Sequence, residues 1–145
     1  RCPCGRRGCW ERYASGSGLA MLAREAATGR RLREVVRHAG GDPQAVRGEH
    51  VQAAAREGDP EAMAVIDDFG RWVALGLSNL TNAFDPEIFV LGGGLAAGSD
   101  LYLKPIIKWY GELLYQPHLR PMPRVEFATW GPLAGAVGAA LLPSL

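Results

Sequence analysis

Residues 79–94 read N-L-T-N-A-F-D-P-E-I-F-V-L-G-G-G. Within this stretch the chain changes character twice. Asp85-Pro86 ends a helix, because the proline ring lacks an N–H and pushes the preceding residue out of the helical region. Ile88-Phe89-Val90-Leu91 is apolar throughout, the pattern of a strand buried on both faces of a sheet. It empties into Gly92-Gly93-Gly94, where no Cβ stops a ligand from lying against the backbone. A helix feeding a buried strand that feeds a glycine turn is the local grammar of an α/β protein.

Upstream, Asp59-Pro60-Glu61 offers an N-cap acid, a proline for the first turn and a second acid, the start signals of a helix. Ile66, Phe69, Val73, Leu77, Leu80 and Phe84 then recur at helical spacing and predict one apolar stripe. Gly70 and Gly76 inside it permit close packing. Asn79 and Asn82 either face a ligand or simply bond at the helix end. Glu49–Glu57 is a shorter helix ended by Gly58. Leu19 to about Ala27 is another, ending before Gly29 and capped by Ser15 or Ser17. The segment from Arg30 to Arg47 is less regular. Leu32, Val35 and Val36 suggest a short helix, Ala39 to Pro43 a turn, and the whole reads as a surface excursion. Downstream, a helix from Ser99 or Asp100 runs to about Tyr115, and Val125–Thr129 is a second strand. Leu133–Leu142 closes the chain as a helix rich in Ala and Gly. Parallel strands joined by helical crossovers follow from this order. Two strands are few for a doubly wound sheet, which points to sequence beyond these residues.

The first fifteen residues, R-C-P-C-G-R-R-G-C-W-E-R-Y-A-S, hold Cys2, Cys4 and Cys9, all three cysteines of the chain. Pro3 limits the loop, and Gly5 and Gly8 allow the left-handed turns of a tight knuckle. A disulfide with a spare thiol, a redox pair and buried thiols are the competing readings. The odd count disfavours a disulfide framework, and the C-x-x-C spacing of redox motifs is absent. Zinc, which takes four Cys or His donors in a structural site, fits the ligand type best. Three donors are present, so the fourth comes from elsewhere. His38, His50 and His118 all lie far downstream, and the chain opens on Arg1 rather than Met. A histidine just upstream would make this the carboxy-terminal part of a longer chain. Glu11 follows closely in what reads as the first turn of a helix, where a carboxylate is favoured by the helix dipole alone.

The formal charge of +1 gives no electrostatic reason to expect nucleic acid or an anionic membrane as partner. Hydrophobic residues at 48% and charged ones at 21% are a globular composition. Only two of sixteen basic residues, Lys104 and Lys108, are lysines. No apolar run is long enough to span a bilayer, and clustered thiolates suit a reducing, cytoplasmic setting. Neither G-x-x-x-x-G-K-[ST] nor G-x-G-x-x-G occurs, so the glycine turn alone is a weak nucleotide signal. No Ser/His/Asp or Cys/His catalytic set is legible.

Together the pieces are more specific. C-P-C-G-R-R-G-C-W-E-R-Y-A-S-G resembles the C-x-C-G-x-x-G-C-x-E-x-x-x-S signature of the ROK (repressor, open reading frame, kinase) family. Residues 79–94 resemble that family's helix, Asp-Pro turn, strand and glycine loop. A-G-A-V-G-A-A near the end resembles its closing helix. The likeness runs from Cys2 to about Leu142, and within the family it is nearest to the bacterial glucokinases.

The resemblance implies an actin-like ATPase (ribonuclease H-like) fold of two lobes, with this chain as the carboxy-terminal α/β lobe carrying an incomplete sheet. Residues 1–15 would be a zinc knuckle and 16–145 the lobe. It implies zinc on Cys2, Cys4 and Cys9 with an upstream histidine, Glu11 as a sugar-binding carboxylate, and Gly92, Gly93 and Gly94 beside the adenosine of Mg-ATP. The implied reaction is phosphorylation of glucose at its 6-hydroxyl by a cytoplasmic homo-oligomer. The catalytic aspartate and the D-x-G-x-T phosphate loop would belong to the absent lobe, so no residue here is catalytic and these residues alone would be inactive. A sugar-responsive repressor of the same family, or a kinase for N-acetylglucosamine or mannose, are the alternatives. At the last turn Pro132 and Leu133 stand where many kinases of the family have a polar Asn-Asp pair.

Overall fold

A computed structural model describes residues 1–28 and 31–142, apart from the side chain of Pro132. Gly29, Arg30 and residues 143–145, which the expected helix end, excursion and lobe include, lie outside the described residues. After a single 3₁₀ turn at Trp10–Arg12 come α1 (Gly16–Ala26), α2 (Arg33–His38), α3 (Gly48–Arg56) and α4 (Pro60–Phe84). Strand β1 (Ile88–Leu91), α5 (Ser99–Leu113), β2 (Arg124–Phe127) and α6 (Ala134–Leu141) complete the order. The strands pair in parallel, with Ile88 opposite Arg124 and Leu91 opposite Phe127. That is the α/β arrangement expected of a strand–helix–strand unit. No described helix is long and apolar enough to cross a membrane.

The longest element, α4, spans 25 residues and carries the core. The Asp59 side chain accepts from the Ala62 amide at 2.7 Å, satisfying one of the donors a helix start leaves bare. α1, α3 and α5 all pack on α4. Phe69 of α4 is fully buried, and its ring lies 5.4 Å from that of Tyr102 on α5. α4 and α5 approach closely where Gly70 meets Pro105: a Cβ at Gly70 would stand 2.9 Å from the proline Cβ. Outside this contact, Asp67 binds Trp109 Nε1 at 2.9 Å, and the Lys108 ammonium stacks 4.4 Å from the Trp109 ring centroid.

Three expectations change. The apolar stripe of α4 holds from Ile66 to Leu77, but Phe84 is 76% exposed. From Leu77 the buried row passes through Thr81 instead. Its hydroxyl donates to the Leu77 carbonyl at 2.7 Å and meets the Tyr110 hydroxyl. A threonine fills this core position because α5 presents a phenol there, and both groups are then hydrogen-bonded.

The Arg31–Arg47 segment is not a surface excursion. Leu32, Val35 and Val46 are buried in the main core. Leu32 adopts a left-handed φ of 54°, and its amide donates to Glu61 Oε2 at 2.7 Å. Leu32 and Val35 do sit at helical spacing, but two residues make no sustained stripe and Val46 stands alone beyond the turn, so the pattern did not mark them as core.

β1 is only half-buried, with Val90 61% exposed. In a parallel sheet both faces are usually covered by helices. Among the described residues, one face of β1 lacks that cover.

Candidate functional site

The cysteine knuckle is built from backbone bonds and two left-handed glycines. The Cys2 amide donates to the Arg6 carbonyl at 2.8 Å, and Gly5 and Gly8 take φ values of 87° and 73°. This curl brings the three sulfurs within 4.8 Å of one another, with Cys4 and Cys9 Sγ 3.5 Å apart and no disulfide. Tetrahedral zinc with Zn–S bonds of about 2.3 Å places sulfurs roughly 3.8 Å apart, so the set fits that ion. The Arg6 amide, then the Cys2 and Cys9 thiols, hold the Cys4 thiol below its usual range. Cys9 is pushed up to about 11, because it donates to Cys4 and Cys2 and a second charge beside theirs is opposed.

Three contacts bind the knuckle to the core. Trp10 Nε1 donates to the Trp72 carbonyl at 2.7 Å. The Tyr13 ring stacks on Trp72, centroids 4.3 Å apart. The Trp10 indole also lies directly on Gly76, where an added Cβ would come within 2.1 Å of ring atoms. Gly76→Ala is therefore expected to eject the indole, costing about 1–3 kcal/mol as an overpacked contact. A lowered urea midpoint, with Trp10 fluorescence shifted to the red, would show it; an unchanged midpoint and spectrum would refute it.

Glu11 sits on the 3₁₀ turn between Trp10 and Arg12 and is exposed. The turn is locked from below by Gly18, where a Cβ would stand 2.5 Å from the Tyr13 carbonyl oxygen.

Gly92, Gly93 and Gly94 line a cleft of about 750 Å³. Its other walls are the amino-terminal ends of two helices, Ser15-Gly16-Ser17 of α1 and Arg47-Gly48-Glu49 of α3. Leu19, Ala20 and Leu95 give it apolar surfaces, and Arg24 and Gln52 reach in from the sides. A smaller hollow of about 180 Å³, lined by Trp10, Phe69 and Val90, shares Ala14, Gly92 and Leu95 with the cleft. The knuckle's tryptophan and the glycine loop thus border one space, although some eighty residues separate them in the chain.

Each expected site residue now has a place. Cys2, Cys4 and Cys9 converge; Glu11 stands exposed on the adjoining turn; the three glycines form a cleft wall. The Arg24, Arg47 and Gln52 lining escaped the sequence reading. Arg47 and Gln52 flank a helix start that shows no strong signal, and Arg24 is one arginine among many. The Ser-Gly-Ser-Gly run at 15–18 was the one available clue, since a helix opening on small residues leaves its end accessible.

The description "ROK family" belongs to the family profile that matches residues 1–144. A glucokinase of Streptomyces coelicolor is 43% identical over 96% of this chain and 44% of its own length. An N-acetyl-D-glucosamine kinase of Pectobacterium atrosepticum is 34% identical over 98% of this chain and 41% of its own. The crystal structure of a ROK family glucokinase from Streptomyces griseus, in complex with glucose and AMPPNP, superposes with a TM-score of 0.88 at 38% identity. That match covers 96% of this chain and 45% of the other. The chain therefore spans somewhat under half the length of the relatives it matches.

Proposed function

The chain belongs to the ROK family, and on that premise we propose that it forms the carboxy-terminal half of an ATP-dependent kinase acting on the 6-hydroxyl of glucose. The observation that carries this is the shared wall between two sites. Trp10, the residue before Glu11, lines the hollow that shares Ala14, Gly92 and Leu95 with the glycine-walled cleft, so a sugar held at that turn and a nucleotide in the cleft would lie close together. Phosphoryl transfer asks mainly for such positioning and for charge stabilisation.

Glu11 is the sugar-binding group in this reading. An exposed carboxylate accepts from two neighbouring hydroxyls through charge-assisted bonds. Gly92, Gly93 and Gly94 flank the adenosine of Mg-ATP. Cys2, Cys4 and Cys9 supply three zinc ligands, and the fourth is a histidine of the remaining polypeptide. Bound there, zinc would cross-link the knuckle and brace the adjoining turn. Residues 1–15 thus act as a knuckle on the lobe formed by 16–145. The base that takes the hydroxyl proton and the residues holding the γ-phosphate lie outside these residues. Glucose is preferred to N-acetylglucosamine as acceptor because identity to the glucokinase exceeds that to the N-acetylglucosamine kinase. A homo-oligomer completes the proposal.

A coupled ADP-release assay on the whole protein tests this, with glucose, N-acetylglucosamine and mannose as acceptors. Turnover with glucose at the highest kcat/KM is expected, and none from residues 1–145 alone. Absence of turnover with every hexose would overturn the kinase reading, and activity of the 145 residues would overturn the division of labour.

A further inference from the structure

The cleft contains one polar side chain whose orientation is set from the core. Gln52 lies on the second turn of α3 and lines the cleft. Its Nε2 donates to the Tyr102 hydroxyl at 2.6 Å. Tyr102 is fully buried, with its ring held against Phe69. Space for this pair depends on Gly98: a Cβ there would stand 2.5 Å from the Tyr102 ring and 3.0 Å from Gln52 Nε2. A carboxamide held by its nitrogen has a defined free end, its oxygen.

Several other polar side chains of the cleft have neighbours of their own. The Ser15 and Ser17 hydroxyls bond each other at 2.9 Å, and Ser15 also caps α1. Arg24 Nε donates to the Val46 carbonyl at 2.9 Å. Glu49 faces Arg47 at 3.7 Å and His50 at 3.9 Å. The Gln52 oxygen has no hydrogen-bond partner among the described residues, and unlike the exposed Glu49 carboxylate it is an uncharged acceptor held from the core. The half-buried Leu95 of the same lining offers apolar surface for the face of a heteroaromatic ring, with buried Leu19 and Ala20 beneath the cleft wall.

We propose that Gln52, oriented by Tyr102, selects the base of the bound nucleotide, accepting a hydrogen bond from the exocyclic amine of adenine and rejecting bases with a carbonyl there. Gln52 is the contacting residue and Tyr102 a positioning residue. This rests on the reading of the cleft as a nucleotide site. A carbonyl facing the fixed amide oxygen sets two acceptors against each other, and both lose hydration without compensation.

Inosine triphosphate differs from ATP in having a carbonyl in place of this amine, so the pair isolates the contact. Calorimetric dissociation constants for both nucleotides on the whole protein are expected to favour ATP by roughly tenfold or more, the scale of one unsatisfied buried polar contact. In Gln52→Met and in Tyr102→Phe that ratio should fall toward one. A purely structural role for the Gln52–Tyr102 bond would weaken both nucleotides alike and leave the ratio intact, which would overturn the proposal. Equal affinities in the unmodified protein would overturn it too, while leaving the cleft a nucleotide site. Failure of both nucleotides to bind would instead remove the nucleotide reading of the cleft, and the proposal with it.

Discussion

Phe69→Ala is expected to lower stability by about 3–5 kcal/mol, the usual cost of emptying a fully buried aromatic site. The ring sits mid-way along α4 with no exposed surface, against Tyr102 of α5 and over the hollow shared with Trp10. Helices cannot collapse onto the void, because Gly70 already holds Pro105 at backbone contact on the next residue. Domains are stable by only about 5–15 kcal/mol in total, so this one change consumes much of the margin. Phe84→Ala is the matched control. Phe84 lies on the same helix but is 76% exposed, and its loss should stay within about 0.5 kcal/mol. Urea unfolding of both variants decides; similar midpoints would show that burial along α4 has been misassigned.

The second large effect concerns the knuckle. Cys9→Ser in the whole protein is expected to reduce bound zinc from one per chain to roughly a tenth of that or less. Zinc sites draw on the order of 10 kcal/mol from a complete ligand set, and serine is a poor substitute for a thiolate. Loss of the ion should also loosen the Trp10–Arg12 turn, because Cys9 is its N-cap residue. The sugar KM is then expected to rise with little change in the KM for nucleotide. Metal analysis with paired kinetics checks both parts. A variant that keeps its zinc would show that Cys9 is no ligand, and an unchanged sugar KM would separate the metal from the sugar site.

How far the residues themselves foretold this arrangement depends on the kind of signal each carries. Local signals were legible. Asp59-Pro60 begins α4, Ser15 caps α1, Asp85-Pro86 ends α4, and Gly5 and Gly8 turn left-handed, since each works through its own backbone. The convergence of the three sulfurs was legible for the same reason, the cysteines falling within eight residues of one another. Signals that depend on a partner were not. Nothing at Thr81 announces that Tyr110 will meet it, so helical spacing alone carries the stripe on to Leu80 and Phe84 instead. Leu32, Val35 and Val46 are core residues because α2 and the segment after it fold back onto α3 and α4, a long-range event that the brief helical spacing of Leu32 and Val35 does not announce. The Gln52–Tyr102 pair joins residues fifty apart, and neither type is unusual where it stands. At Glu11, an ordinary first-turn acid by its own sequence signal, the proposed sugar-binding role rests on family resemblance alone.

The half-covered strand has a practical side. Each strand of the β1–β2 pair has a single neighbour among the described residues, and Val90 on β1 faces outward. Unpaired main-chain groups beside bare aliphatic surface are a template for self-association. Anyone handling these 145 residues in isolation should anticipate sticky, concentration-dependent behaviour, with clumping beginning at that flank well before the helical core gives way.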